Sequence, residues 1–185
     1  MKNNTVEKII LGIDPGTRIT GYGIIRISQQ KPELLQYGVI HLEKYTNYLI
    51  RLQKLLERIL QIITDYQPHE MAIESPFYGE NVQSMLKLGR AQGVVMSVAF
   101  MQNIPIVEYA PKKIKQTITG NGNASKEQVS KMITQAFQFQ IEKNTLLDAT
   151  DALAVALCHF YAKGISKRQS KSWENFVSEN PDRIL

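Results

Sequence analysis

Four acidic residues sit where an ordinary surface carboxylate is out of place. Asp14 closes the apolar run Ile9-Ile10-Leu11-Gly12-Ile13 and is followed at once by Pro15-Gly16-Thr17. Glu74 closes Met71-Ala72-Ile73 and is followed by Ser75-Pro76. A carboxylate beside a core is costly unless hydrogen-bonded, paired or metal-bound, so two strands ending this way point to a cation site. Asp148 and Asp151 lie three residues apart in Leu147-Asp148-Ala149-Thr150-Asp151-Ala152, a spacing that puts both on one helix face. Two of the four admit a purely structural role. Asp14 before Pro-Gly can organise a turn, and Asp148 can cap a helix whose N-cap is Thr145. Asp151 lies a turn deeper, among Leu147, Ala154 and Val155, where a solvated-face role fits poorly. Together the four suit Mg²⁺, a hard ion that takes oxygen ligands, and no Cys/His spacing suits structural zinc. The reaction implied is two-metal phosphodiester hydrolysis, with ions about 4 Å apart that activate water and stabilise the leaving oxygen.

The elements that must deliver these acids are legible in the hydrophobic pattern. Lys8 to Asp14, Gly21 to Ser28 and Leu34 to His41 are short, rich in Ile, Val and Tyr, and separated by turn residues, which predicts three strands in an antiparallel meander. From Asn47 to Tyr66 the period becomes helical, with Leu49, Leu52, Leu55, Leu56, Ile59, Ile62 and Ile63 on one side. A fourth strand over Met71 to Glu74, a long helix over Asn81 to Gln102 and a fifth strand over Ile104 to Tyr109 follow. Helices then start near Pro111, Ser125 and Thr145. This order predicts an α/β fold, a mixed five-stranded sheet flanked by helices on both faces. Alanines at 149, 152, 154 and 156 let the last helix approach the sheet closely and carry its acids toward the first and fourth strand ends. Gly89, Gly93 and Ser97 recur every four residues, a stripe that permits close contact within the subunit or across a dimer.

Of 185 residues, 43% are hydrophobic and 21% charged, enough for a sizeable core in one domain. We expect that domain over residues 1–164, followed by a basic, flexible tail over 165–185 that carries Lys167, Arg168 and Lys171. A single cysteine, Cys158, cannot pair within the chain and reads as a core thiol in a reducing compartment. Met1 to Lys8 lacks the apolar segment of a signal peptide, and the most apolar later stretch is interrupted by Lys87, Arg90 and Gln92, so a cytoplasmic protein without membrane attachment is expected. The net charge of +5 favours polyanionic partners without specifying them. Lys112, Lys113 and Lys115, the Gly120-Asn121-Gly122-Asn123 loop and Lys126 behind a Ser125 N-cap combine lysines with a helix N-terminus, a ready anion site.

In order and spacing, Gly12-Ile13-Asp14-Pro15-Gly16-Thr17, Thr20-Gly21-Tyr22-Gly23, Ala72-Ile73-Glu74, Leu86-Lys87-Leu88-Gly89 and Asp148-Ala149-Thr150-Asp151-Ala152-Leu153-Ala154 resemble the RuvC family of Holliday-junction resolvases. The resemblance runs from about Ile9 to Tyr161. It implies a ribonuclease-H-like fold and a homodimeric, Mg²⁺-dependent endonuclease that nicks four-way DNA junctions in pairs, with Mn²⁺ able to substitute. Carried over position by position, the metal-binding acids are Asp14, Glu74, Asp148 and Asp151, although some relatives have His at the position of Asp148. Phe77 falls where the family places an aromatic wedge against bases at the junction centre, and Lys112, Lys113, Lys115 and Lys126 fall in its phosphate-contacting region. The implied partner is a branch-migration motor of the RuvA and RuvB kind.

Two other readings compete with this one. The Gly-Ile-Asp-Pro-Gly-Thr segment resembles the phosphate loop of actin-like nucleotide-binding proteins, but 185 residues are too few for their two lobes. A ribonuclease-H-like nuclease acting on RNA, or a DNA-binding relative without cleavage, is the closer alternative.

Overall fold

Which helices cover which face of the sheet follows from side-chain alternation along its central strands. Leu11 and Ile13 point to one side, Ile10 and Gly12 to the other, as successive residues of a strand must. The computed structural model describes residues 7–76, 81–139 and 147–179, the last stretch with side chains as far as Lys163. Its elements, in order, are β1 (Lys8–Asp14), β2 (Ile19–Ser28), β3 (Lys31–His41), α1 (Tyr48–Tyr66), β4 (Glu70–Glu74), α2 (Val82–Met101), β5 (Ile106–Tyr109), α3 (Pro111–Thr119), α4 (Lys126–Phe137) and α5 (Leu147–Glu179). The sheet order is β3-β2-β1-β4-β5, antiparallel among the first three strands in sequence and parallel from β1 through β4 to β5. This is the expected mixed five-stranded α/β architecture.

On one face Leu11, Ile13, Ile24, Met71 and Ile73 pack against Leu55, Ile59 and Ile62 of α1 and Val95, Val98 and Ala99 of α2. On the other, Ile10, Ile25 and Ala72 meet Ile114 and Ile118 of α3, Val129 and Ile133 of α4, and the Leu153 to Cys158 stretch of α5. Between Ala149 and His159, α5 is buried through almost a full circumference.

The pattern misjudged some boundaries for physical reasons. β2 starts earlier than expected, at Ile19, by pairing Ile19 and Thr20 with His41 and Ile40 of β3. β3 starts earlier because Gln29 and Gln30 both take positive φ, 51° and 63°, and close a two-residue hairpin. That turn normally advertises itself with Asn or Gly. β3 begins before Leu34 despite Pro32, which an edge strand tolerates. Strand β5 starts at Ile106 rather than Ile104, since Pro105 has no N–H for the ladder. On α1, Leu49 and Leu56 are exposed rather than on the buried side. Leu56 lies about 100° around the helix from Leu55, which turns it off the buried stripe. The N-terminal residue of α5 is Leu147, and Thr145 lies outside the described residues. α5 continues past residue 164, where the sequence places the end of the domain.

Candidate active site

Strand parity brings the first two acids together. Gly12 pairs with Ala72 and Ile13 with Ile73 in the parallel β1/β4 ladder, so Asp14 and Glu74 come next on adjacent strands. Both share the face of Gly12 and Ala72, the one that α5 covers. The helical acids arrive because α5 lies almost on the backbone of the sheet. A Cβ added at Gly12 would stand 2.3 Å from the Ala152 carbonyl oxygen, and one at Gly21 would stand 2.0 Å from that of Asp148. Gly23 likewise has no room for a side chain beside Leu153. The expected alanines of α5 are thus half of the arrangement. The other half, three sheet glycines, sits inside the quoted motifs but carries no message until the helix is laid over them.

One oxygen from each of Asp14, Asp148 and Asp151 lies within 4.8 Å of the others, a spacing that would hold a divalent cation. Glu74 flanks Asp14 on the other side, where the two line a cavity of about 150 Å³ together with Pro15, Ser75, Leu88 and Gln92. All four expected acids therefore converge on the carboxyl end of β1 and β4. The opposite end of β4 is tied to the same helix, with Glu70 accepting from Lys8 and Lys163 and lying 2.8 Å from Nε2 of the buried His159, whose Nδ1 meets the Tyr109 hydroxyl at 2.8 Å. α5 is pinned at both ends of the strand.

The charges within the site are poorly matched without a cation. Burial pushes the Asp14 carboxyl well above its ordinary range, and the negative charges of Glu74, Asp151 and Asp148 add to that. Glu74 is pushed up to about 7 by burial and by Asp151, with Lys126 and Lys115 opposing. Asp151 is raised by burial despite its hydrogen bond to Lys126. The Lys126 ammonium lies 2.6 Å from Asp151 and 3.4 Å from Asp148, and although burial disfavours its charge, Asp151 and the neighbouring carboxylates hold its pKa above the usual lysine range. The Ser125 to Gln128 capping box fixes the helix start that presents it.

These shifts set a pH dependence for cation binding. Glu74 has a folded-state value of about 7 against an ordinary 4.5, so its contribution to stability is full below 4.5 and is lost as the pH rises through 7. A cation reverses that loss. Mg²⁺ should therefore raise the melting temperature more at about pH 8 than at about pH 5.5, with an excess of about 3 °C or more. Equal shifts at the two pH values in a thermal melt would remove the cation from this site.

Of the lysines expected to face phosphates, Lys126 reaches into the acid cluster and Lys115 lies near enough to lower the pKa of Glu74 and Asp151. Lys112 and Lys113 are exposed in the first turn of α3. Phe77 lies outside the described residues. In the sequence Gln92 is only a polar break in an apolar stretch, and its place beside Asp14 and Glu74 follows from the packing of α2 across the sheet end.

A mixed five-stranded sheet with carboxylates gathered at one strand end defines a ribonuclease-H-like protein with an acidic, cation-binding centre. The profile of the crossover junction endodeoxyribonuclease RuvC family matches residues 10–159, and the chain belongs to that family. It is 57% identical to the crossover junction endodeoxyribonuclease RuvC of Cytophaga hutchinsonii over 97% of this chain and 90% of the relative. Against the RuvC of Bacteroides fragilis the identity is 52%, over 96% of each chain. Among solved structures, T. thermophilus RuvC in complex with Holliday junction substrate superposes with a TM-score of 0.76 at 30% identity, covering 84% of this chain and 94% of that one.

Proposed function

We propose that this chain resolves four-way DNA junctions in recombination and repair by paired symmetric nicks, acting in the cytoplasm as an Mg²⁺-dependent homodimer. The observation that carries this reading is the meeting of Asp14, Asp148 and Asp151 oxygens within 4.8 Å, beside Glu74, in a chain of this family. The all-oxygen donor set fits Mg²⁺, two ions per site, with Mn²⁺ able to substitute. When bound, the ions supply a water of lowered pKa and charge stabilisation at the leaving oxygen. The chain's own residues hold and shield that chemistry. Asp14 and Glu74 are fixed by strand ends, Asp148 and Asp151 by the first turns of α5, and Lys112, Lys113, Lys115 and Lys126 supply positive charge for the DNA phosphates. Residues 1–164 serve as the nuclease domain and 165–185 as a basic tail.

The dimer reading is supported by α2. A Cβ added at Gly89 or Gly93 would meet no neighbouring element within 4 Å, while Leu86, Phe100 and Met101 are exposed along the same helix. A twofold pair of sites is what two symmetric cuts need. A branch-migration motor of the RuvA and RuvB kind rests on family likeness alone. An RNA-directed activity finds no support in the relatives, which carry the junction endonuclease name. Among the described residues no helix is long and apolar enough to cross a membrane.

Junction selectivity gives the test. Phe77 can stack only on bases already unpaired, as at a crossover, so Phe77→Ala should slow junction cleavage about tenfold while leaving duplex affinity and its salt dependence unchanged. Lys115 meets phosphates common to every arm, so Lys115→Ala should weaken junction and duplex binding alike and flatten the salt slope by roughly one unit. Both are measured on a mobile four-way junction and a linear duplex across a salt series. Unchanged junction cleavage by Phe77→Ala, or an equal loss on duplex, would overturn the wedge.

A further inference from the structure

The cavity beside Asp14 and Glu74 is lined by Leu88 and Gln92 of α2, and Gln92 is the unusual member. It is only 6% exposed, and its amide is held from one end. Nε2 donates to Glu108 Oε2 at 2.8 Å, and among the described residues Oε1 accepts nothing. Glu108 sits opposite Ile73 in the β4/β5 ladder, one position short of Glu74. A carboxylate only accepts hydrogen bonds, so Glu108 settles which end of the amide faces it. The NH₂ must turn to Glu108, and the carbonyl is left for the cavity. With its N–H committed, the carbonyl is the end of the amide available to a ligand that donates. The neighbouring carboxylates exclude an anion, and the cavity is large enough for water.

We infer that Gln92 is a positioning residue of the nuclease site, whose amide carbonyl, oriented by Glu108, accepts a hydrogen bond from a water held between it and the Asp14 and Glu74 carboxylates. This rests on the proposed hydrolytic function. An amide fits the task better than an acid. It orients a water without adding another negative charge beside the Asp14 and Glu74 carboxylates that line the same cavity. Ordering that water contributes to turnover and to the affinity for a hydrated cation, and much less to DNA binding.

The test compares Gln92→Met, which keeps length and removes the acceptor, with the exchanged pair Gln92→Glu plus Glu108→Gln. In the exchanged pair the amide introduced at position 108 donates to the carboxylate introduced at position 92, and an acceptor oxygen again faces the cavity. Three quantities are read: kcat and KM on a four-way junction with Mg²⁺, Mn²⁺ affinity without DNA from the electron paramagnetic resonance of free Mn²⁺, and the melting temperature. Gln92→Met should lose about tenfold in kcat with KM unchanged, and about threefold or more in Mn²⁺ affinity. Its melting temperature should stay within about 3 °C of the parent. The exchanged pair should recover Mn²⁺ affinity to at least the parent value. The inference is overturned if Gln92→Met keeps parental kcat and Mn²⁺ affinity, or if the exchanged pair is as impaired in Mn²⁺ affinity as Gln92→Met. A parent enzyme inactive on junctions would overturn the function instead, with the Mn²⁺ titration still deciding the role of Gln92.

Discussion

Asp14→Asn, Glu74→Gln and Asp151→Asn should each lower junction cleavage by about 10³-fold or more while junction binding stays within about threefold. The rate loss corresponds to roughly 4 kcal/mol of transition-state stabilisation, in the range that metal ligation supplies. Each replacement keeps the shape of the side chain and removes the charge that a divalent ion needs. Binding survives for an electrostatic reason. The site gathers Asp14, Glu74, Asp148 and Asp151 around the Lys126 ammonium, and burial first, with neighbouring acids adding to it, raises Asp14, Glu74 and Asp151. Neutralising one acid relieves repulsion toward a phosphate and loosens the hold on Lys126, which Asp151 grips at 2.6 Å. Single-turnover cleavage and gel-shift titrations on one junction measure both quantities. Turnover near the parental rate by any of the three variants would exclude that residue from the metal site.

The second large effect is expected far from any charge. Gly21→Ala and Gly12→Ala should lower stability by about 2 to 4 kcal/mol, a fall of about 5 to 15 °C in melting temperature. The added methyl group would stand 2.0 Å from the Asp148 carbonyl oxygen at position 21, or 2.3 Å from that of Ala152 at position 12. Both obstacles are backbone, which cannot rotate aside. Relief requires α5 to lift from the sheet, and lifting it carries Asp148 and Asp151 away from Asp14. Cleavage should consequently fall even at temperatures where the variants remain folded. Gly89→Ala is the control, since a Cβ there meets nothing within 4 Å and alanine favours a helix by about 1 kcal/mol. A Gly21→Ala protein that melts with the parent would show that α5 does not rest on the sheet as described.

The sequence by itself determined which acids come together and which elements carry them. Asp14 and Glu74 announce themselves because a strand that must bury its apolar residues ends in a charge, and Asp148 with Asp151 because helical periodicity places residues three apart on one face. Element order was enough for the α/β class and the mixed sheet. The exposed Leu49 and Leu56, the extended β2–β3 hairpin and the later start of β5 were not legible, since each depends on a neighbour or a turn that local pattern does not encode. Only the tertiary structure decided that Lys126 enters the acid cluster rather than simply extending a basic surface. It also decided that Gln92 reaches the cavity's edge with its amide held by Glu108, and that three sheet glycines set how near α5 may come. The reason is common to all three. A residue's charge and period are properties of its own segment, whereas the partner that orients an amide or stops a helix comes from a segment distant in the chain and exists only once both have packed.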